Sequence, residues 1–152
     1  MPAPELEPIG LHLARVAKVA SRAFDDVLTE AGGSLPTWLI LVSVKSRTHG
    51  NQRNLAEAVG IEGPTLTHHL NRMEREGLVT RRRDPSNRRV HLVELTQSGD
   101  ALFFHLLDTV VAFDEQLRRG LGDADLRRLR CLLDRIGDNV SPPGVVPPPP
   151  DR

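Results

Sequence analysis

The sequence predicts a mainly α-helical chain carrying one small β-hairpin. Apolar residues recur at steps of three and four over long stretches, and Gly, Pro and Asn residues separate those stretches. Only one pair of short segments reads as strands, on either side of the turn-forming Asp84-Pro85-Ser86-Asn87. Aromatic residues make up 3% of the chain and Tyr is absent, which again favours helices over a large sheet.

The first helix is expected over Leu6 to Ala31, with an apolar stripe of Ile9, Leu13, Val16, Ala20, Phe24 and Val27. Gly32-Gly33 ends it. Ser34 then offers an N-cap, with Pro36 in the first turn of a second helix reaching about Arg47. That helix is apolar nearly all round (Trp38, Leu39, Leu41, Val42, Val44) and should be central. Asn51 can cap a short helix over Gln52 to Ala58, Gly60 marks a turn, and a further helix runs from about Glu62 to Glu76, stopped by Gly77. The strands are expected at Leu78 to Arg82 and Val90 to Leu95. Thr96 caps a long helix with Leu102, Leu106, Val110, Phe113, Leu117 and Leu121 in a coiled-coil-like seam. After Gly120 and Gly122, Asp123 opens a last helix with Leu126, Leu129, Leu133, Ile136 and Val140. Residues 141–152 are rich in Pro and are expected to be extended or disordered.

The chain has 152 residues, enough for one compact core, and a formal net charge of zero. The distribution matters more than the total. Lys45 to His91 holds ten basic and five acidic residues, a net of +5, which leaves −5 for the rest. A basic middle between acidic flanks suits a DNA-reading module, although a solvated charged face would look the same. The near-absence of aromatics argues against a stacking platform for single strands or RNA. One Cys rules out a disulfide within the chain. No signal peptide and no apolar run near the ~18 residues of a bilayer span is seen, so a cytoplasmic protein without a membrane partner is expected.

Within Gln52 to Leu70, apolar Leu55, Val59, Ile61 and Leu66, the small Ala56, and Gly60 four residues later fit a helix-turn-helix. If Leu66, Leu70 and Met73 face the core, then Thr65, Thr67, His68, Asn71, Arg72 and Arg75 turn outward. Their hydroxyl, amide, imidazole and guanidinium groups can reach base edges and phosphates in a major groove. An ordinary helical hairpin with a polar face is the plain alternative. The basic hairpin that follows makes the order that of a winged helix. Arg88 and Arg89 at its tip could enter a minor groove, while Arg81 to Arg83 sit at its base. Asp84 supports the loop, either by pairing with a wing Arg or simply as a turn-forming residue.

These segments resemble the MarR (multiple antibiotic resistance) regulators. The resemblance spans essentially Leu6 to Val140 and rests on Leu55-Ala56 through Gly60-Ile61, Thr65-Leu66-Thr67, Leu70 to Glu74, and Gly77-Leu78-Val79. Its most specific piece is the wing, Asp84 to Arg88-Arg89, leading into Leu95-Thr96-Gln97-Ser98-Gly99. It implies a triangular homodimer joined by the first, fifth and sixth helices and binding pseudo-palindromic duplex DNA, as a transcriptional repressor. It implies Thr65, Thr67, His68 and Arg72 as recognition-helix readers and Arg89, with Arg88 second, at the wing tip. The expected layout is a dimerisation helix over 1–33, a DNA-binding lobe over 34–95, dimerisation helices over 96–140 and a tail over 141–152.

Such regulators also resemble switches released by a small phenolic or anionic effector. His12, Arg15, Trp38 and His49 are the candidates here, against a plainer reading with Trp38 in the core and Arg15 solvated. Cys131 is expected to be a buried or half-buried small residue without a redox role. His69 is expected to pack beside Leu66 and Leu70, and no metal or cofactor site is expected. An enzyme is disfavoured: there is no Gly-rich phosphate loop, nucleophile elbow or cluster of carboxylates or thiols, and twelve residues after Val140 leave no room for a catalytic domain. A winged-helix adaptor would carry acidic or apolar residues where Arg72, Arg75, Arg88 and Arg89 stand.

Overall fold

The computed structural model describes residues 7–46 and 52–141. It contains six helices, α1 (Ile9–Glu30), α2 (Leu35–Ser46), α3 (Gln52–Val59), α4 (Gly63–Arg75), α5 (Gln97–Leu117) and α6 (Asp123–Val140), with strands β1 (Val79–Arg83) and β2 (His91–Leu95) between α4 and α5. The mainly helical architecture with one hairpin agrees with the sequence. Each strand begins one residue later than expected: Leu78 is taken up in closing α4, and Val90 in the wing tip, where its N–H donates to Asn87 O at 2.9 Å. The proposed Asn51 cap and the residues from 142 onward lie outside the described residues.

The chain divides after Phe113 into two compact units. In the first, α2 is the centre and touches α1, α3, α4 and β2. Trp38, Ile40, Leu41 and Val44 of α2 are buried against Leu28, Leu55, Leu66, Leu70, Met73 and Leu106. Trp38 stacks on Phe103 with ring centroids 5.6 Å apart. Ser34 caps α2 as expected: its Oγ accepts the Thr37 N–H at 3.2 Å. Ser34→Ala should therefore cost about 1 kcal/mol in a denaturant titration, the usual loss for an N-cap hydroxyl.

The helix-turn-helix is fixed by backbone chemistry. Gly60 adopts φ 70°, and past it Ile61 N–H donates to Ala56 O at 3.1 Å, which closes α3 and turns the chain into α4. The same device ends α4. Gly77 has φ 72°, and Leu78 N–H donates to Met73 O at 2.8 Å. The antiparallel hairpin pairs Val79 with Leu95 and Arg83 with His91. Its two-residue period puts Val79, Arg81 and Val93 on the face turned to the lobe and Thr80, Arg82 and Glu94 on the other.

Thr96 opens α5, its Oγ1 accepting the Gly99 N–H at 3.0 Å. In the second unit Gly122 N–H donates to Asp125 Oδ2 at 2.9 Å, capping α6. No residue of α6 is buried within the chain, and Leu129, Leu132 and Leu133 are exposed. Ile9, Leu11, Val16 and Val19 of α1 are exposed as well. Among the described residues no single helix is long and apolar enough to cross a membrane.

Candidate nucleic-acid interface

Leu66, Leu70 and Met73 are fully buried, which orients α4. Thr65, His68, Asn71 and Arg75 are exposed, and Thr67 is half-buried. Two of these side chains are already engaged. Thr67 Oγ1 donates to Gly63 O at 3.0 Å and accepts Gln52 Nε2 at 3.0 Å. Asn71 Oδ1 accepts Arg81 Nη2 at 2.6 Å.

Arg72 departs from the outward placement expected of it. It is half-buried, and its Nη2 donates to Thr37 Oγ1 at 3.1 Å, back toward α2. Its Nε is buried without a hydrogen-bond partner among the described residues and lies 4.0 Å from Glu76 Oε1. The cause is its position one residue before Met73: on a helix that offset flanks the buried stripe, and a long Arg can lean either way.

In the wing, Asp84 does fix the loop, but as a turn-former. Its Oδ1 accepts Ser86 N–H at 2.8 Å and Ser86 Oγ–H at 2.6 Å, and no ion pair to a wing Arg forms among the described residues. Those bonds stabilise the carboxylate and hold its pKa below the ordinary value. Asp84 N–H donates to Val90 O at 2.9 Å and Arg89 N–H to Asn87 Oδ1 at 3.2 Å, which closes the tip. Arg88 and Arg89 are exposed there. Like Arg75 and Arg83, they make no ion pair among the described residues.

Arg81 and Glu74 form a link between the wing and α4 that sequence reasoning undervalued. Arg81 Nη2 and Nε donate to Glu74 Oε2 at 2.6 and 3.1 Å, so β1 is tied to α4, and Arg81 holds the Glu74 carboxyl below its ordinary pKa. The signal was available: Arg81 is two residues from buried Val79, so strand alternation turns it inward. Arg82, on the opposite face, pairs with Glu94 at 2.9 Å. Between the helix-turn-helix and the wing lies an open cleft of about 1040 Å³, bordered by Gln52, Gly60, Thr67, Arg81, Arg89 and His91.

His69 is half-buried beside this face, and its Nδ1 finds no partner among the described residues. Burial, then the charge of Arg72, then His68, lower its pKa from the ordinary histidine value. The unfolded chain then takes up a proton at a higher pH than the folded one. Stability should be full above about pH 6.5 and fall as the pH drops through the unfolded pKa of about 6.5. Unfolding titrations at pH 7.5 and 5.5 should show this loss, and His69→Gln should reduce it.

The effector candidates do not converge. His12 and Arg15 both engage Glu7, at 3.1 and 2.7 Å, on exposed α1, whereas Trp38 is buried in the core. The depression on α1 that includes Arg15 is lined by Lys18, Val19, Arg22, Ala23 and Asp26, and by neither His12 nor Trp38. His49 lies outside the described residues. Cys131 is exposed, not buried as expected, because α6 buries nothing within a single chain.

A helix-turn-helix followed by a hairpin with free arginines defines a winged helix-turn-helix protein. Residues 34–91 match the MarR family model. Solved structures agree. CouR from Rhodococcus jostii RHA1, bound to p-coumaroyl-CoA, is 27% identical with a TM-score of 0.73, covering 93% of this chain and 96% of its own. The transcriptional repressor CouR bound to a 23-mer DNA duplex is 25% identical with a TM-score of 0.77, covering 88% and 99%. BpsR of Bordetella bronchiseptica, whose DNA binding is regulated by 6-hydroxynicotinic acid, shares the fold at 21% identity and a TM-score of 0.76, covering 91% and 99%.

Proposed function

We propose that this protein binds a pseudo-palindromic duplex operator as a homodimer and represses transcription by occupying it. The observation that carries this reading is the cleft on which the recognition helix and the wing converge: Thr67 of α4 and Arg89 of the wing both border it. Thr65, Thr67, His68, Asn71 and Arg75 would face the major groove, and Arg88 and Arg89 the adjacent minor groove. Arg72 would act by bracing α4 against α2 as well as by any contact of its own.

The lobe over 34–95 reads DNA, while 1–33 and 96–140 join the two copies. The exposed apolar side chains of α1 and α6 support the second assignment, since burying them against a second copy removes them from water. Two-fold symmetry then sets half-sites about one turn, roughly 34 Å, apart. A small phenolic or anionic effector would release the DNA. Ligands named for CouR and BpsR support that class.

The test is selection from a pool of random duplexes at moderate salt, with molar mass measured by light scattering. One pseudo-palindrome and a dimeric mass are expected. Retention without sequence preference would overturn the operator reading, and no retention would favour a protein–protein adaptor.

A further inference from the structure

The hydrogen bonds behind the exposed face of α4 fix what that face can offer. A guanidinium has donors only, so the atom of Asn71 lying 2.6 Å from Arg81 Nη2 must be the amide oxygen. The amide orientation is thereby set, and the two Nδ2 hydrogens are left for an outside partner. Arg81 is held in turn by Glu74, one helical turn from Asn71 on the same side of α4, so a single side chain from the wing grips both. Its own side chain is largely sheltered, 19% exposed, while that of Glu74 is 40% exposed.

We propose that Arg81 is a positioning residue for base recognition: by holding Asn71 Oδ1 it makes Asn71 a hydrogen-bond donor that reads an acceptor edge, guanine O6 and N7 or thymine O4. Asparagine otherwise favours adenine, which needs its carbonyl and its amide together on one base edge. The wing thus tunes the specificity of the recognition helix through Arg81, apart from any contact the wing makes itself. This inference rests on the DNA-reading function proposed above.

The experiment is duplex selection with the full chain and four variants: Arg81→Met, Arg81→Lys, Asn71→Asp and the Arg81→Met/Asn71→Ala double. Melting temperatures are recorded for each. At one base pair of each half-site the unmodified protein should prefer guanine or thymine. Arg81→Met keeps the apolar stem but frees the amide, and enrichment of adenine there should rise about tenfold, the scale of one bidentate contact. Arg81→Lys should retain most of the original preference, and the double variant should show none.

Asn71→Asp keeps an acceptor for Arg81, so it tests the idea even if Arg81→Met fails to fold. Having no donor, it should lose the guanine or thymine preference and turn toward cytosine, whose N4 amine donates. If Asn71→Asp or Arg81→Met retains the original base preference at every position, the inference is wrong while the operator reading stands. If the unmodified protein selects no sequence, both fall together.

Discussion

Gly99→Ala is expected to destabilise the protein by about 3 kcal/mol or more, at the upper end for forcing an extra carbon into a packed site. A Cβ at Gly99 would stand 1.9 Å from the Leu78 carbonyl oxygen and 2.9 Å from its carbon. Neither atom can step aside cheaply. Leu78 N–H closes α4 on Met73 O, and Leu78 O accepts the Thr96 N–H at 3.1 Å. For a chain of this size the loss corresponds to a melting temperature lower by roughly 6–12 °C. Gly10→Ala is the matched control, since nothing lies within 4 Å of a Cβ there. In the first turn of α1 that change should leave stability nearly unchanged or raise it slightly. Equal melting temperatures for the two variants would contradict the packing described for the start of α5.

The second large effect is on binding. Arg88→Ala/Arg89→Ala should weaken affinity for the selected operator by roughly 100-fold at about 0.1 M salt, and flatten the slope of log affinity against log salt by about 2. Each guanidinium that meets a phosphate or a narrow minor groove releases roughly one counterion, and two are removed. The fold should not suffer. The loop is closed by Asp84 on Ser86 and by the Arg89 backbone N–H on Asn87, bonds that alanine leaves in place. Fluorescence anisotropy at three salt concentrations would measure both quantities. An unchanged slope would remove the wing tip from the interface.

The elements were legible because several helix ends carry their own local chemistry. Ser34 and Thr96 are caps that bond only three residues ahead, and Gly60 and Gly77 supply turns that few other residues tolerate. Side chains whose partners are distant in sequence were not legible. Arg72 bonds Thr37, 35 residues away, and nothing in the spacing of α4 announces it. Arg81 reaching Asn71 and Glu74 needed the strand parity and the approach of β1 to α4 at once. Asp84 satisfied itself with Ser86 two residues on, a shorter path than any wing Arg. Cys131 is expected to be buried or half-buried as a small apolar residue, but one copy of α6 has nothing to bury it against.

The junction at Leu78 also works as a mechanical joint without slack. The end of α4, the root of the wing and the start of α5 share one knot: Leu78 N–H on Met73, Thr96 N–H on Leu78, Thr96 Oγ1 on Gly77 O, and Gly99 pressed against the same carbonyl. Because these contacts tie α5 to the end of α4, a tilt of α5 is expected to carry α4 with it like the arm of a lever. With 13 residues α4 is about 20 Å long. A rotation of about 10° would sweep its far end through roughly 3 Å, the full length of a hydrogen bond. In the proposed complex such a rotation would displace Thr65, Thr67 and His68, toward the far end of the arm, more than Asn71 or Arg75 near its root.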